Sequence, residues 1–143
     1  MPSAINDIPN TPAELVLRVI PMPADTHLGN QIAGGWMLAK LDSAGSVLPM
    51  RLAQGRVVLV AVDKLSFTHP VLAGDLVSFY ASVSRVGNTS IRVHVEAVTE
   101  RRGSEGVRVS VTEATLTFVA LDDHGKPRPI ASSSSLGSTA NHG

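Results

Sequence analysis

The chain has 143 residues, 43% of them apolar, which suits one domain with a real core. Twelve Lys and Arg against twelve Asp and Glu leave no net charge, so no overall field draws in nucleic acid or an anionic membrane, and an anionic ligand needs a local site. The absence of cysteine excludes disulfides, thiolate metal sites and a cysteine nucleophile, and fits a reducing compartment.

Residues 1–13 are polar and proline-containing, and the first ten lack the positive start and apolar stretch of a secretory signal, so a mobile segment on a cytoplasmic protein is expected. A domain over 14–130 follows, without internal repeat or linker, and then a serine- and glycine-rich tail over 131–143, expected to be disordered. Glu14–Ile20 is β-branched and stops at Pro21, which cannot donate a ladder hydrogen bond; it predicts a first strand. A proline- and glycine-bearing surface segment leads to Trp36. From there to about Met50, apolar residues recur at three- and four-residue spacing and predict one helix.

After Gly55 the strong segments all predict strands: Arg56–Phe67, Ala73–Val86, Thr89–Arg101 and Val107–Leu121. The longest aliphatic run, Val57–Val62, is far short of the roughly 20 residues that span a bilayer. Its near-continuous apolar character fits a strand buried on both faces, or one paired across a subunit boundary. Ile91–Val98 alternates apolar residues with Arg92, His94 and Glu96, so one face packs and the other is wet. Turn signals at Gly87-Asn88 and Gly103–Gly106 make the strands they join antiparallel neighbours. In the last segment the apolar phase shifts between Val111 and Ala114, which a bulge near Thr112 or Glu113 explains. One hydrophobic helix with about five long antiparallel strands is an α+β layout, and the helix buries its apolar faces only if the sheet curls around it; this is the hotdog fold. Its open edge calls for at least a homodimer.

Chemistry concentrates in Asp25–Ser46. Gly34 and Gly35 allow close backbone approach at the start of the helix, where unpaired N–H groups suit an anion or developing oxyanion. Asp42, two turns on, returns to nearly the face of Gly35. A tight helix entry and a solvated aspartate would be the bland reading of that pair. Asp42 is set among Leu38, Leu41, Gly45 and the only tryptophan, however, and an ionisable group on a helix expected to be buried is a functional candidate. His27, His69 and His94 lack the spacing of a zinc site and read as surface or structural; no metal is expected. Ser66, Ser90 and Ser110 have no nucleophile-elbow context, and the glycines form no dinucleotide fingerprint. Arg85, Arg92, Arg101, Arg102 and Arg108 read singly as solvated strand residues, although a phosphate-bearing ligand can use two or three.

With these motifs the sequence resembles the bacterial short hotdog acyl-CoA thioesterases, relatives of the cytosolic long-chain acyl-CoA hydrolases. The resemblance runs from about Leu15 to Ile130 on MPADT at Met22–Thr26, GGWMLAKLD at Gly34–Asp42, GRVVLVAVDKLSFTHPVLAGD at Gly55–Asp75, RVGNTS at Arg85–Ser90 and TFVALDDHGKPRPI at Thr117–Ile130. It implies a thioesterase whose catalytic carboxylate is Asp42, with Gly34 and Gly35 offering N–H groups to the thioester carbonyl. It also implies a site at a dimer interface, coenzyme A along the RVGNTS turn, and trimers of dimers. Asn30, Gly34, Arg85, Gly87, Thr89 and Ser90 are the expected substrate contacts. Coenzyme A is part of the substrate, and no separate cofactor is expected. Relatives carry an Asn or Asp shortly before the glycine pair, in a DTN-type stretch; here stand Asp25-Thr26-His27, Gln31 and Ala33. Gln31 retains the groups to orient water or carbonyl.

The expected reaction has Asp42 as general base on a water that attacks the thioester, with Gly35 and Trp36 N–H groups stabilising the oxyanion. Direct attack by the carboxylate is the other route open to it. Two further readings compete. A hotdog hydratase or dehydratase needs a histidine beside the acid, and a non-catalytic acyl-CoA sensor dispenses with the helix carboxylate.

Overall fold

The computed structural model describes residues 13–27 and 29–130. The tail expected over 131–143, and all of the segment expected over 1–13 except Ala13, lie outside the described residues. The elements in order are β1 (Glu14–Val19), a 3-10 turn (Pro23–Asp25), α1 (Gly34–Gly45), α2 (Val47–Ala53), β2 (Val57–Phe67), β3 (Leu76–Val86), β4 (Ser90–Glu100) and β5 (Arg108–Ala120). The strands form one antiparallel sheet in the order β1-β3-β4-β5-β2. Turns at Gly87–Thr89 and Arg101–Val107 pair β3 with β4 and β4 with β5, as their glycines foretold. β2 crosses to pair with β5, which leaves it at an edge of the sheet.

The alternation in β4 holds: Ile91, Val93, Val95 and Ala97 are buried while Arg92 is exposed. In β5 the register slips where Ala97 faces Thr112 and Val98 faces Ser110, so Val111 is the extra residue, next to the expected Thr112. That bulge lets Val111 and Thr112 both turn inward, and it resets the phase so that Ala114, Leu116 and Phe118 also face the core.

The helix is longer than its apolar pattern and is broken once. It runs from Gly34 to Ala53 with an interruption at Ser46. Pro49 has no N–H and crowds the carbonyl four residues before it, that of Gly45, so the ladder cannot pass this point unbroken. Met37, Leu41, Ala44 and Leu48 form the buried stripe, set against Phe79, Val93, Val95, Leu116 and Phe118 of the sheet that curls along one side of the helix. Gly45 makes this approach close: a Cβ there would lie 3.3 Å from the Phe118 ring. Among the described residues no helix is long and apolar enough to cross a membrane.

Candidate active site

The approach to α1 is a stack of short backbone links. Asp25 accepts the Met22 N–H at 2.9 Å and closes the 3-10 turn. Thr26 bridges Ile32, and the His27 N–H donates to the Gln31 carbonyl at 2.7 Å. On its other side the same segment pairs with the chain beyond β2: Ile32 N–H to Val71 carbonyl at 2.8 Å and Ala73 N–H to Asn30 carbonyl at 3.2 Å, with Gln31 opposite Leu72. Gln31 and Gly34 therefore sit at a fixed mouth, in the wall of a cavity of about 370 Å³.

That cavity also takes in Phe67, His69, Val71 and Thr112. They come together because the strand end and the bulge in β5 fold back on the helix start. The His69 ring is held with Nδ1 3.2 Å from the Ser110 carbonyl, and it borders the cavity.

Gly34 and Gly35 are exposed, and neither N–H has a backbone acceptor among the described residues outside the helix. A Cβ on either would meet nothing within 4 Å. Trp36 differs from expectation. Its N–H donates to the Ala33 carbonyl at 3.1 Å, because the first turn of the helix closes on that residue, so Gly34 and Gly35 are the donors left for a ligand. The Trp36 ring instead lies 5.5 Å from Lys40 Nζ along the flank of α1.

Asp42 is a second correction. It was expected to be buried on a buried helix, yet it is exposed, as are Gly35, Leu38 and Ala39, because the sheet covers one side of α1 only. The outer stripe of α1 is thus half apolar and carries the carboxylate. Asp42 does not border the cavity at the helix mouth.

Arg85, Gly87, Thr89 and Ser90 lie elsewhere again. Gly87 N–H to Ser90 carbonyl, at 2.7 Å, closes the β3–β4 turn. Ser90 pairs with Val119, seven residues along β5 from Thr112 at the cavity, or roughly 20 Å at strand rise. This turn is at the Gly45 end of α1. Arg85 and Arg92 face each other across β3 and β4, both exposed. One chain therefore holds the mouth, the carboxylate and the turn at three separate stations.

A family model described as Thioesterase superfamily matches residues 29–105. The chain is 44% identical to the acyl-CoA thioester hydrolase YciA of Salmonella typhimurium over 124 residues, which cover 85% of this chain and 93% of that one. Among solved structures it is similar to a hexameric thioesterase from Yersinia pestis, with TM-score 0.79 and 43% identity over 85% of this chain and 98% of the other. It is also similar to a hexameric hotdog fold thioesterase of Campylobacter jejuni, with TM-score 0.78 and 41% identity over 82% and 90% of the two chains.

Proposed function

The chain belongs to the thioesterase superfamily and is an acyl-CoA thioester hydrolase, and we propose that each of its active sites is built from two copies. Asp42 of one copy supplies the base, and the Gly34–Gly35 mouth of the other holds the thioester carbonyl. The observation that carries this reading is the spacing of Gly35 and Asp42 along α1. Seven residues at helix rise separate them by roughly 10 Å along the axis. A general base and an oxyanion donor serving one carbonyl must each come within about 3 Å of the reacting atoms, a condition that a partner's Asp42 laid beside the mouth meets more directly than a carboxylate two turns down the same helix.

Two copies of α1 laid antiparallel across a two-fold axis remove the difficulty, since Gly35 and Asp42 share the exposed stripe and each then meets the other's counterpart. The edge strand β2 supports such a pairing. Val58, Val60 and Val62 are 41%, 55% and 39% exposed in the single chain, apolar surface that a second copy would cover. A homodimer assembled further as a trimer of dimers fits the hexameric relatives from Yersinia pestis and Campylobacter jejuni.

Within this site a water gives its proton to Asp42 as its oxygen attacks the thioester carbon. The carbonyl oxygen becomes an oxyanion on the Gly34 and Gly35 N–H groups, the C–S bond breaks, and coenzyme A leaves as the thiolate. Gln31, exposed in the cavity wall, is positioned to orient the water or the carbonyl. The Arg85–Ser90 turn serves the nucleotide end of coenzyme A, and it lies at the same end of α1 as Asp42. Asn30 accepts the Ala73 N–H on its carbonyl and keeps its side chain for substrate. Acyl-CoA is the substrate, no separate cofactor takes part, and the cysteine-free composition supports a cytoplasmic place of action.

A thiol-release assay across a panel of acyl-CoAs tests the activity. Steady release of coenzyme A that stops on Asp42→Ala is expected. Binding of acyl-CoA without release would favour the sensor reading, and addition of water to an enoyl-CoA without release would favour the hydratase.

A further inference from the structure

Among the described residues Asp75 is the one charged residue that is buried, 2% exposed, and the mechanism makes no use of it. A carboxylate so placed is costly unless its oxygens are satisfied. Its Oδ2 accepts the Leu72 N–H at 2.9 Å and the Thr99 hydroxyl at 3.0 Å, and Arg101 Nε lies 3.4 Å away. Arg101 also donates from its Nη2 to the Pro70 carbonyl at 2.7 Å. The two side chains thus grip the segment Pro70–Leu72 from behind and tie it to the end of β4.

What hangs on that segment is the helix mouth. Val71 and Ala73 make the backbone bonds to Ile32 and Asn30, and Leu72 stands opposite Gln31. Pro70 and Val71 form one wall of the cavity, and Gln31 and Gly34 form the other. Val71 also packs into the core, and Asp75 and Arg101 add the side-chain hydrogen bonds that tie this segment to the end of β4, so they help to set the spacing between the two walls.

We propose that Asp75 and Arg101 are positioning residues for hydrolysis, holding Gln31 and the glycine pair in register with the thioester without touching substrate. The inference rests on the reading of the mouth as the carbonyl-binding part of the site. Sub-ångström drift of such groups weakens transition-state contacts more than ground-state binding, so the loss falls on kcat.

The test uses the assembled protein with the best acyl-CoA of the panel, and the variants Asp75→Asn and Arg101→Met. Asp75→Asn keeps the shape but loses the charge. Arg101 has a side chain 44% exposed, so its replacement threatens the core less. Both variants are expected to assemble normally, lose about tenfold or more in kcat with KM changed less than threefold, and exchange the Ile32 and Ala73 amide protons faster while those of Val93 and Val95 stay protected. Arg101→Lys, which keeps the charge and loses the forked geometry, should fall between. The proposal is overturned by a folded Arg101→Met chain with kcat within twofold of wild type, by a loss that falls on KM alone, by reduced kcat with unchanged exchange at Ile32 and Ala73, or by failure of Arg101→Met to assemble. Asp42→Ala separates this from the underlying reading. Full activity in that variant removes the proposed chemistry whatever the exchange pattern, whereas an inactive Asp42→Ala with wild-type exchange leaves the two questions independent.

Discussion

Gly35 and Asp42 lie seven positions apart on the same exposed stripe of α1, with Leu38 and Ala39 between them and the buried stripe of Met37 and Leu41 behind. This places an open helix start and a carboxylate on one face, but about two turns apart. The stripe has the makings of a self-complementary surface. Its two chemical ends are exchanged when a second copy is laid against it the other way round.

The glycine at position 35 should trade stability for activity. Gly35→Ala adds a methyl into open space within the chain, and alanine is favoured over glycine inside a helix by up to about 1 kcal/mol, so thermal stability should hold or rise. The same methyl would stand where the thioester must approach, and kcat should fall about 10²-fold. Calorimetry paired with the thiol-release assay checks both signs.

Asp42→Ala should leave fold and assembly intact, because the side chain is exposed in the chain and makes no ion pair among the described residues. Loss of a general base costs about 10²–10⁴-fold in rate, and kcat should drop by at least that much. Single turnover of the wild type in oxygen-18 water should put label into the fatty acid and none into Asp42. Label in the side chain would mean attack by the carboxylate itself.

Much of this architecture was legible in the sequence because it is written in local periodicity. The shift in phase between Val111 and Ala114 located the bulge to within one residue, and glycines marked the β3–β4 and β4–β5 turns. What depends on distant partners was not legible. Nothing in Val57–Phe67 says that it pairs with β5, about fifty residues on, so its apolar run leaves open a doubly buried strand or one paired across a subunit boundary. Asp42 reads as buried because the helix is apolar nearly all round, but the sheet of this chain covers one side of α1 only. The sequence offers the Trp36 N–H to an oxyanion, but that group closes the first turn on the Ala33 carbonyl. The grip of Asp75 and Arg101 joins residues 26 positions apart and had no sequence signal beyond a charge after a glycine.

The edge strand should govern assembly. Val60 is 55% exposed on β2, and Val60→Lys should solubilise this edge as single chains while leaving the fold of each chain intact. Sedimentation velocity should show the shift to a monomer, and activity should vanish with the oligomer. A fully active monomer would rule out a shared site.

Gln31→Ala should lower kcat by about 10²-fold with little change in KM, as for a contact made mainly in the transition state. Gln31→Asn keeps the amide with one torsion fewer and should retain activity. If both variants turn over at the wild-type rate, Gln31 only faces solvent and the glycine N–H groups act without it.

The most direct measurement mixes two inactive variants. Asp42→Ala and Gly35→Val chains, unfolded together and reassembled in equal amounts, give mixed dimers in which one of the two sites draws an intact Asp42 from one chain and an intact Gly35 from the other. Random pairing then restores about a quarter of wild-type activity, from two inactive parents, if each site is shared between copies. No recovery, with mixed dimers shown to be present by native mass spectrometry, would place Asp42 and Gly35 in the same site of a single chain and contradict the account.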